Sequence, residues 1–352
     1  MKVKYVMLGD ANSPHFFKWY KELIKKYDVY VISFNENSTY QYRNCYIFSS
    51  DVTENGGNYN ILRHLVSVYR LLKVIRPSIV NAHYLTSYGF VASLLRIVLP
   101  FRLVSSAWGS DILVTPKRNF IWLLVTKFVL SKSEFVTSDS LNMSSEIQKI
   151  YDCKVVTFPM GIDEKCISYN SKKYSTYTFL SLRNLISNSN IDVIIKAIAV
   201  VSEQHNIQLI VANDGCDRLK LEALVTELGL CGVIQFVGYL NPDQLFDLMR
   251  SCHTYVTIPT SDALSVSLME ALASEMLVIA SDLPANRELL NLSNSFITKI
   301  EIDSLVRVME NGLNLSATEL DGIYKFNRKL LKESCLWSDN IKILYDALKL
   351  IE

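Results

Sequence analysis

Apolar runs of strand length alternate with amphipathic segments of helix length along most of the chain. In the first half the predicted strands are VKYVMLG, VYVISF, CYIFS, SIVNAH, RLVSSAW, FVTSD and VVTFPM, and two of the predicted helices are FFKWYKELIKKY and ILRHLVSVYRLLKVI. The pattern restarts with TFLSLR, IQLIVAN, VIQFVGY, TYVTIP and LVIASD, with helices near residues 191–203, 217–228 and 242–251. Such alternation predicts parallel sheets joined by right-handed crossovers.

The two series of strands and helices predict an α/β fold of two doubly wound domains that face each other across a cleft. A chain of 352 residues is long for a single core, which also favours two domains. The polar segment 163–177 separates the series and is the expected linker. We therefore place the first domain at residues 1–165, the second at 172–335, and a terminal helix, SDNIKILYDALKLIE, within 336–352.

Composition excludes several classes of protein. The apolar run near the N-terminus, in MKVKYVMLGD, is too short for a signal peptide, and no uninterrupted run of 18 apolar residues predicts a membrane-spanning helix. The seven cysteines are scattered without a CxxC pair, which indicates reduced thiols in a cytoplasmic protein. Five histidines, none within four residues of another, argue against a dedicated zinc site.

The net charge of +1 conceals an asymmetry between the two halves. Residues 1–165 carry 20 Lys and Arg against 13 Asp and Glu, whereas residues 166–352 carry 16 against 22. A basic half beside an acidic half favours different partners for each, with an anionic surface such as a membrane for the first. The alternative is drift of surface charge without function.

Polar and glycine residues recur where the predicted strands end, and ligands of open parallel sheets bind at that edge. Turn residues are also needed there for structural reasons, so each position taken alone favours a structural role. Together they favour a ligand cleft. The positions are Gly9, Asp10, Asn12, Ser13 and His15 after the first strand, and His83, Gly109, Ser110, Asp111, Gly161, Arg183, Asp214, Gly215 and Tyr239 after later ones.

The most informative stretch is IPTSDALSVSLMEALASEMLVIASD, residues 258–282, where Asp262 lies in a loop and Glu270 on the following helix. Ser265 is a candidate helix cap. Leu268, Met269, Leu272 and Met276 share one face at helical spacing and should enter the core, whereas Ser267, Glu270, Ala271 and Ser274 form a small, polar face.

The N–H groups at Ser265, Val266 and Ser267 carry partial positive charge and suit a phosphate. A phosphate there, with a carboxylate on each side, suits a sugar nucleotide, because the sugar and ribose hydroxyls need acceptors. The structural alternative is that Asp262 is a turn residue and Glu270 a solvated helix residue.

The same stretch, continued to IPTSDALSVSLMEALASEMLVIASDLPANRELL, resembles the signature of the retaining glycosyltransferases of family four, which have the GT-B fold of two Rossmann-like domains. That signature usually has two glutamates separated by seven residues, and here the first acid is Asp262. Further blocks resemble the family in order across nearly the whole chain: IVNAHYLTSYGF, LVSSAWGSDIL, SDSLNMSSEI, FPMGID, LIVANDGCDRLKLEAL, VIQFVGYLNPDQLFDLMRSC and the segment from Trp337 to Tyr345.

The resemblance implies that the second domain binds a nucleotide-diphosphate sugar as co-substrate, with no other cofactor. Glu270 would accept from the ribose, Asp262 would contact the donor sugar and Arg183 would hold the diphosphate beside Ser265–Ser267. It further implies that the loop from Gly9 to Ser13 closes on the phosphates and that the terminal helix crosses back to the first domain. Asp214, Gly215 and Tyr239 complete the expected donor side, and His15, Trp108, Gly109 and Asp111 form the expected acceptor side.

Catalysis in such enzymes rests on orientation and on stabilising charge at the diphosphate rather than on a protein nucleophile. No DxD triplet occurs, in agreement with metal-independent chemistry, and no metal-binding residue is expected. Arg183, Asp262 and His83 are the predicted catalytic residues. A structural role for His83, at the end of a strand, is the alternative.

Two positions depart from the family pattern. A lysine usually lies about six residues after the arginine, as a second phosphate contact, and RNLISNSNID offers Ser189 or Asn190 instead. Loss of a charge-assisted phosphate contact costs about 1.5–3 kcal/mol unless another group replaces it. Many members also have a histidine before the glycine of the WGSD block, where this chain has Trp108.

These features predict a cytoplasmic, retaining, metal-independent glycosyltransferase that adds a sugar to a glycan, lipid-linked in our expectation, for a bacterial surface polysaccharide such as lipopolysaccharide or capsule. No nucleic-acid partner is expected. Two alternatives remain open: a sugar-nucleotide epimerase of the same general fold, and an inactive subunit that binds donor or glycan without turnover. The missing lysine and the shortened first acid favour the second alternative.

Peripheral contact with an anionic membrane is a further expectation. Lys117, Arg118, Lys127 and Lys132 flank the bulky apolar segment FIWLLVTKFVL, and such a helix can lie on an anionic bilayer. The alternative is a buried crossover helix whose lysines extend to water. The basic first half and a lipid-linked acceptor both favour attachment to the inner face of the cytoplasmic membrane.

Overall fold

The structure is a computed structural model that describes residues 2–36, 39–50, 59–168 and 171–352. The chain divides into two compact units, the first made of Met1–Met160 with Asp339–Glu352 and the second of Gly161–Ser338. The predicted linker 163–177 contains residues 169 and 170, which lie outside the described residues, and Glu164–Cys166 within it form a single 3₁₀ turn.

The first unit contains a seven-stranded sheet in the order β3-β2-β1-β4-β5-β6-β7, in which every neighbouring pair is parallel. The seven strands predicted from the first half of the sequence are all confirmed. Their bounds are β1 Lys4–Leu8, β2 Asp28–Ser33, β3 Cys45–Ile47, β4 Ile79–His83, β5 Arg102–Ser106, β6 Phe135–Ser138 and β7 Val155–Thr157.

Helices connect these strands. They are α1 Pro14–Lys26, α2 Leu65–Ile75, α3 Phe90–Arg96, α4 Ser110–Leu113, α5 Thr115–Arg118, α6 Phe120–Lys132 and α7 Leu141–Ile150. The predicted helix ILRHLVSVYRLLKVI is a 3₁₀ turn, Tyr59–His64, followed by α2. Arg76 ends α2 in the left-handed region, with φ of 52°, and Pro77 prevents its continuation.

The second unit contains a six-stranded parallel sheet in the order β10-β9-β8-β11-β12-β13. Five of its strands coincide with predicted runs, and the three-residue edge strand β13 was not predicted. The bounds are β8 Tyr177–Ser181, β9 Ile207–Ala212, β10 Ile234–Gly238, β11 Thr254–Thr257, β12 Leu277–Ser281 and β13 Phe296–Thr298.

Two apolar clusters cover the faces of this second sheet, which explains why its central strands are continuous apolar runs. Strand β12, for example, is buried at all five positions. The helices of the second unit are α8 Ile191–Ser202, α9 Arg218–Glu227, α10 Pro242–Ser251, α11 Val266–Ala273, α12 Ile302–Leu313 and α13 Ala317–Ser334.

The last helix, α14 Trp337–Lys349, packs against α1 of the first unit. Tyr345 donates a hydrogen bond from its hydroxyl to the carbonyl of Glu22 at 2.9 Å, and Lys26 Nζ lies 3.6 Å from the centre of the Tyr345 ring. Tyr27 also donates to the Glu352 carboxylate. The chain therefore returns to its first unit after completing the second.

Candidate active site

The second unit holds an ion pair between Arg183, which follows β8, and Asp262, which follows β11. Arg183 Nη1 lies 2.6 Å from Asp262 Oδ2, and the side chains are only 17 and 22% exposed. Strands β8 and β11 are neighbours at the centre of the sheet. The chain continues from β8 to β9 and β10 on one side and from β11 to β12 and β13 on the other, so the ion pair lies at the topological switch point. Ligands of doubly wound folds bind at this point.

Arg183 is a fixed cation in this site. Burial alone would lower its pKa, but the Asp262 carboxylate and the Tyr255 phenol more than offset burial, so the pKa of Arg183 lies above its ordinary value. Asp262 is held in turn, because its Oδ1 accepts from the backbone N–H of Ala263 at 3.0 Å. A planar guanidinium has five N–H donors, so a cation that donates Nη1 to one carboxylate can still bind a phosphate.

Helix α11 begins beside this pair, and its first turn differs from the prediction. Ser265 occupies the cap position with extended backbone, but its hydroxyl makes no hydrogen bond to the helix backbone. Ser265 Oγ instead lies 2.9 Å from Ser267 Oγ, so the expected side-chain cap is wrong. The first-turn N–H groups of a helix without such a cap suit an anion.

Tyr255 extends this hydroxyl network and was missed by the sequence analysis. Its side chain is fully buried in β11, and its hydroxyl lies 2.9 Å from Ser267 Oγ. Its pKa is raised by burial, although nearby Arg183 opposes that shift. The sequence feature that predicts such a network is a tyrosine within a buried apolar strand, because a buried phenol needs a hydrogen-bond partner.

Glu270 lies on α11 and is half-buried. The predicted core face is confirmed, since Leu268, Met269, Leu272 and Met276 have no exposed surface. On the small, polar face, Ala271 and Ser274 are fully buried as well. Burial of most of the helix fixes the backbone that carries Glu270.

The two residues that stand where the family usually has a lysine are both engaged in hydrogen bonds. Ser189 is 1% exposed and donates from Oγ to the carbonyl of Asn184 at 2.6 Å. Asn190 donates from Nδ2 to Ile258 O at 2.8 Å and to Thr260 Oγ1 at 3.0 Å. Ser189 thus closes the loop after β8 on itself, Asn190 holds it to the loop after β11, and neither residue brings a second cation.

A third loop, after β9, packs on the first of these. A Cβ on Gly215 would lie 2.3 Å from the carbonyl oxygen of Leu185, which only glycine permits. Asp214 accepts from the Gly215 N–H at 2.8 Å and from Arg218 at 3.0 Å. Tyr239, after β10, is 76% exposed, so its ring is open to a ligand. The loops that carry Arg183, Asp214, Gly215, Tyr239 and Asp262 thus lie at the carboxyl edge of one sheet.

In the first unit the loop after β1 is ordered by its own side chains. Asp10 Oδ1 accepts from Asn12 N at 2.9 Å, and Ser13 Oγ caps α1 by accepting from Phe16 N at 3.3 Å. Gly9 donates its N–H to Ile32 O at 3.0 Å. The side chains of Asp10 and Ser13 therefore shape the loop, and the role of the loop as a phosphate contact stays a prediction.

His83, at the end of β4, lies among aromatic rings. Its ring centre is 4.8 Å from Phe16, 5.0 Å from Trp19 and 5.6 Å from Trp108. The side chain is 3% exposed, and neither ring nitrogen has a hydrogen-bond partner among the described residues. Burial lowers the pKa of His83 to about 3, so the imidazole is neutral at physiological pH.

The expected acceptor-side residues surround that histidine. The rings of His15 and Trp108 are stacked 5.9 Å apart, and burial followed by the charge of Lys18 lowers the pKa of His15 to about 4. Gly109 is the residue before α4. Asp111 is fully buried, and its two oxygens accept from Trp108 N at 3.0 Å and Leu85 N at 2.8 Å. Asp111 is therefore a positioning residue that holds the Trp108 loop.

Acid should destabilise the first unit through His83. The unfolded chain binds a proton below pH of about 6.5, whereas folded His83 does not until a pH of about 3, so stability falls as the pH drops through that interval. From pH 7 to pH 5 the contribution of His83 to this loss is about 2 kcal/mol. His15, whose pKa burial also lowers, and Asp111, whose pKa burial raises to about 6, titrate in the same range in the wild type and in a His83 variant. Urea unfolding at both pH values should show this loss in the wild type and a smaller one in His83→Gln. An equal loss in both would contradict a buried neutral His83.

Metal ligands are not grouped in the part of the chain that the structure describes, where no three His, Cys, Asp or Glu side chains are placed to hold an ion. All seven cysteines carry free thiols.

Comparison with known families agrees with this geometry. Residues 4–140 match the family model described as glycosyl transferase 4-like, and residues 167–321 match the model described as glycosyl transferases group 1. Two Rossmann-like sheets with these matches define the class of GT-B glycosyltransferases. Within that class, the chain belongs to the family-four glycosyltransferases.

Individual relatives are distant. The chain is 23% identical over 258 residues to the GtfA component of a UDP-N-acetylglucosamine–peptide N-acetylglucosaminyltransferase of Streptococcus parasanguinis, covering 68% of this chain and 48% of that protein. It is 22% identical over 203 residues to a component of the phosphatidylinositol N-acetylglucosaminyltransferase of Arabidopsis thaliana, covering 56% of this chain and 45% of that protein. The chain thus spans about half the length of these curated relatives.

Among solved structures, Alr3699/HepE of Anabaena in complex with UDP and glucose superposes with a TM-score of 0.82 at 14% identity, covering 99% of both chains. At this identity the likeness establishes the fold alone.

Proposed function

We propose that this protein is a retaining, metal-independent glycosyltransferase that moves a sugar from a nucleotide-diphosphate donor to a lipid-linked glycan acceptor in the synthesis of a bacterial surface polysaccharide. The observation that carries the proposal is the Arg183–Asp262 pair at the switch point of the second sheet, beside the start of α11. A sugar diphosphate needs a cation and N–H donors for its phosphates and a carboxylate for a sugar hydroxyl. All three kinds of group occur here.

In the proposed reaction the acceptor hydroxyl attacks the anomeric carbon from the face that the diphosphate leaves. The bond from that carbon to the diphosphate oxygen breaks, and the acceptor proton passes to a phosphate oxygen. Arg183 and the first-turn N–H groups of α11 stabilise the charge that develops on the diphosphate. Asp262 orients the donor sugar, so no protein nucleophile is required.

The first unit would bind the acceptor. The stacked rings of His15 and Trp108 beside buried His83 offer an apolar surface suited to a sugar ring. Two relatives support transfer to acceptors other than free sugars, because their names specify a peptide and a phosphatidylinositol. A lipid-linked acceptor would place the protein at the inner face of the cytoplasmic membrane.

Replacement of Glu270 tests the donor site directly. Glu270→Gln should weaken binding of the matching nucleoside diphosphate by about tenfold or more, because a charge-assisted hydrogen bond to the ribose is lost. Calorimetric titration of a panel of nucleoside diphosphates, beginning with UDP, measures the effect. The wild type should prefer the ribose form over its 2′- or 3′-deoxy analogue, and the variant should lose that preference.

The matched control is Glu227→Gln, which removes an exposed carboxylate from α9 of the same unit and should not alter binding. Equal affinity in wild type and Glu270→Gln, or the absence of binding by every nucleoside diphosphate, would contradict the proposed donor site.

An inactive donor-binding subunit is the second candidate, favoured because Ser189 and Asn190 are occupied by hydrogen bonds within the protein and supply no cation. Incubation with labelled donor and a membrane lipid extract separates the candidates. Label in the lipid fraction supports the transferase, and binding without turnover supports the inactive subunit. Interconversion of the free nucleotide sugar would instead indicate an epimerase.

A further inference from the structure

Several helices of the first unit cover the same face of its sheet. The chain runs from β1 to β3 in one direction and from β3 to β7 in the other. Since crossovers between parallel strands are right-handed, α2, α3, α6 and α7 lie on one side of the sheet. Contacts agree, because α3 packs against both α2 and α6, and α6 against α5 and α7. We call the outer surface of α2, α3, α5 and α6, with the turns that flank these helices, the basic face.

The basic face has an unusual charge. Residues 59–133 contain ten Lys and Arg but a single acid, Asp111, which is fully buried. Arg96 and Arg102 pair with Glu134, and Lys117 pairs with Glu146. Within the described ranges the other seven basic residues form no ion pair with a carboxylate: Arg63, Arg70, Lys73, Arg76, Arg118, Lys127 and Lys132.

Large apolar side chains protrude among these cations. Helix α6 buries Trp122, Thr126, Val129 and Leu130 but leaves Phe120, Ile121 and Leu124 exposed by 69, 64 and 48%. Further exposed positions, each at 59% or more, are Val66 and Val74 on α2 and Ile97 and Val98 after α3. Helix α6 is thus a crossover helix that is buried on one side, but the alternative of a buried helix from which only the lysines reach water does not account for Phe120, Ile121 and Leu124.

We propose that the basic face binds peripherally to an anionic phospholipid bilayer. Protruding apolar side chains can enter the boundary between headgroups and acyl chains, while surrounding cations attract anionic headgroups. A nucleic acid would match the charge but not the aliphatic side chains, and a second copy would bring like charges together. No helix in the described ranges is long and apolar enough to cross a membrane.

The inference deepens the proposed function, because a lipid-linked acceptor would lie in the same membrane. Vesicle sedimentation tests it with the full chain and phosphatidylcholine vesicles prepared with and without phosphatidylglycerol. Binding should require phosphatidylglycerol and weaken with salt. Phe120→Ser/Ile121→Ser/Leu124→Ser should weaken it by about tenfold or more, and Lys73→Gln/Lys127→Gln/Lys132→Gln by about 100-fold.

Matched controls remove equally exposed groups from the second unit and should bind vesicles as the wild type does. They are Val200→Ser/Leu219→Ser/Leu292→Ser for the apolar set and Lys220→Gln/Lys299→Gln/Lys329→Gln for the charged set. Absence of binding to anionic vesicles at low salt would overturn the proposal. An equal loss of vesicle binding in the control variants would also overturn it. A third contrary outcome is a protein that does not bind vesicles but forms a dimer in solution, which the Phe120, Ile121 and Leu124 substitutions convert to a monomer.

The experiments distinguish a failure of the membrane-binding proposal from a failure of the proposed transfer reaction. Loss of vesicle binding leaves nucleoside diphosphate affinity unchanged, since every substitution lies outside the donor site. If the protein binds vesicles but no nucleoside diphosphate, the proposal for the basic face stands and the proposed function is contradicted.

Discussion

Replacement of Arg183 with glutamine should lower kcat/KM for sugar transfer by about 100-fold or more, the effect of removing one donor that stabilises charge in a transition state. The expectation is strong here because Ser189 and Asn190 supply no second cation in the neighbouring loop. Arg183→Lys should recover only part of the activity, since an ammonium cannot contact carboxylate and phosphate with a planar fork. Initial rates with saturating acceptor and varied donor measure both variants.

Arg287→Gln is the matched control for this experiment. Arg287 pairs with Asp282 after β12 of the same unit, but its side chain is 60% exposed, and exposed pairs contribute little. Transfer by this variant should equal that of the wild type. Normal transfer by Arg183→Gln, or the same decrease in both variants, would show that Arg183 does not contact the diphosphate.

Replacement of Arg328 with leucine should destabilise the second unit by about 3–5 kcal/mol. Arg328 Nη1 on α13 lies 2.6 Å from Glu275 Oε1, and the side chains are 16 and 8% exposed. The Glu275 carboxylate also accepts a hydrogen bond from the backbone N–H of Ser171 at 2.6 Å, which holds it in this buried position. Without Arg328 its carboxylate stays buried near a hydrogen-bonded turn. Thermal unfolding should shift downward by on the order of 10 °C.

Two variants separate the buried charge from the loss of the Arg328 side chain. Glu275→Gln/Arg328→Leu removes both charges and should recover most of the lost stability. Lys325→Leu breaks an exposed pair with Asp321 on the same helix and should change stability by less than about 1 kcal/mol. A double variant as unstable as Arg328→Leu would attribute the effect to packing alone.

The sequence predicted the sheets well because parallel strands buried on both faces are continuous apolar runs. LVIASD, for example, became β12 at its predicted place. Strand β13 was not predicted because an edge strand of three residues, Phe296–Thr298, is too short to show a hydrophobic pattern. The Ser265 cap was wrong because Ser265 and Ser267 hydroxyls can hydrogen-bond each other as well as the backbone.

The candidate site was only partly predictable. The resemblance assigned roles to Arg183 and Asp262, yet their direct ion pair joins residues 79 positions apart, and no local pattern encodes such a contact. The same limit applies to Tyr255 and Ser267, which meet through the pairing of a strand with the next helix. The burial of Asp111 could not be predicted either, because an aspartate after a glycine and a serine is typical of an exposed turn.

The hydrogen bonds of Ser189 and Asn190 limit how a second cation could be introduced into the loop after β8. A lysine at position 189 would put an ammonium where 1% of the native side chain meets water. A lysine at position 190 would inherit a left-handed backbone, with φ of 53°, and would release the Asn190 bonds to Ile258 and Thr260. Introducing a lysine at position 189 or 190 would therefore require compensating changes in the surrounding loops.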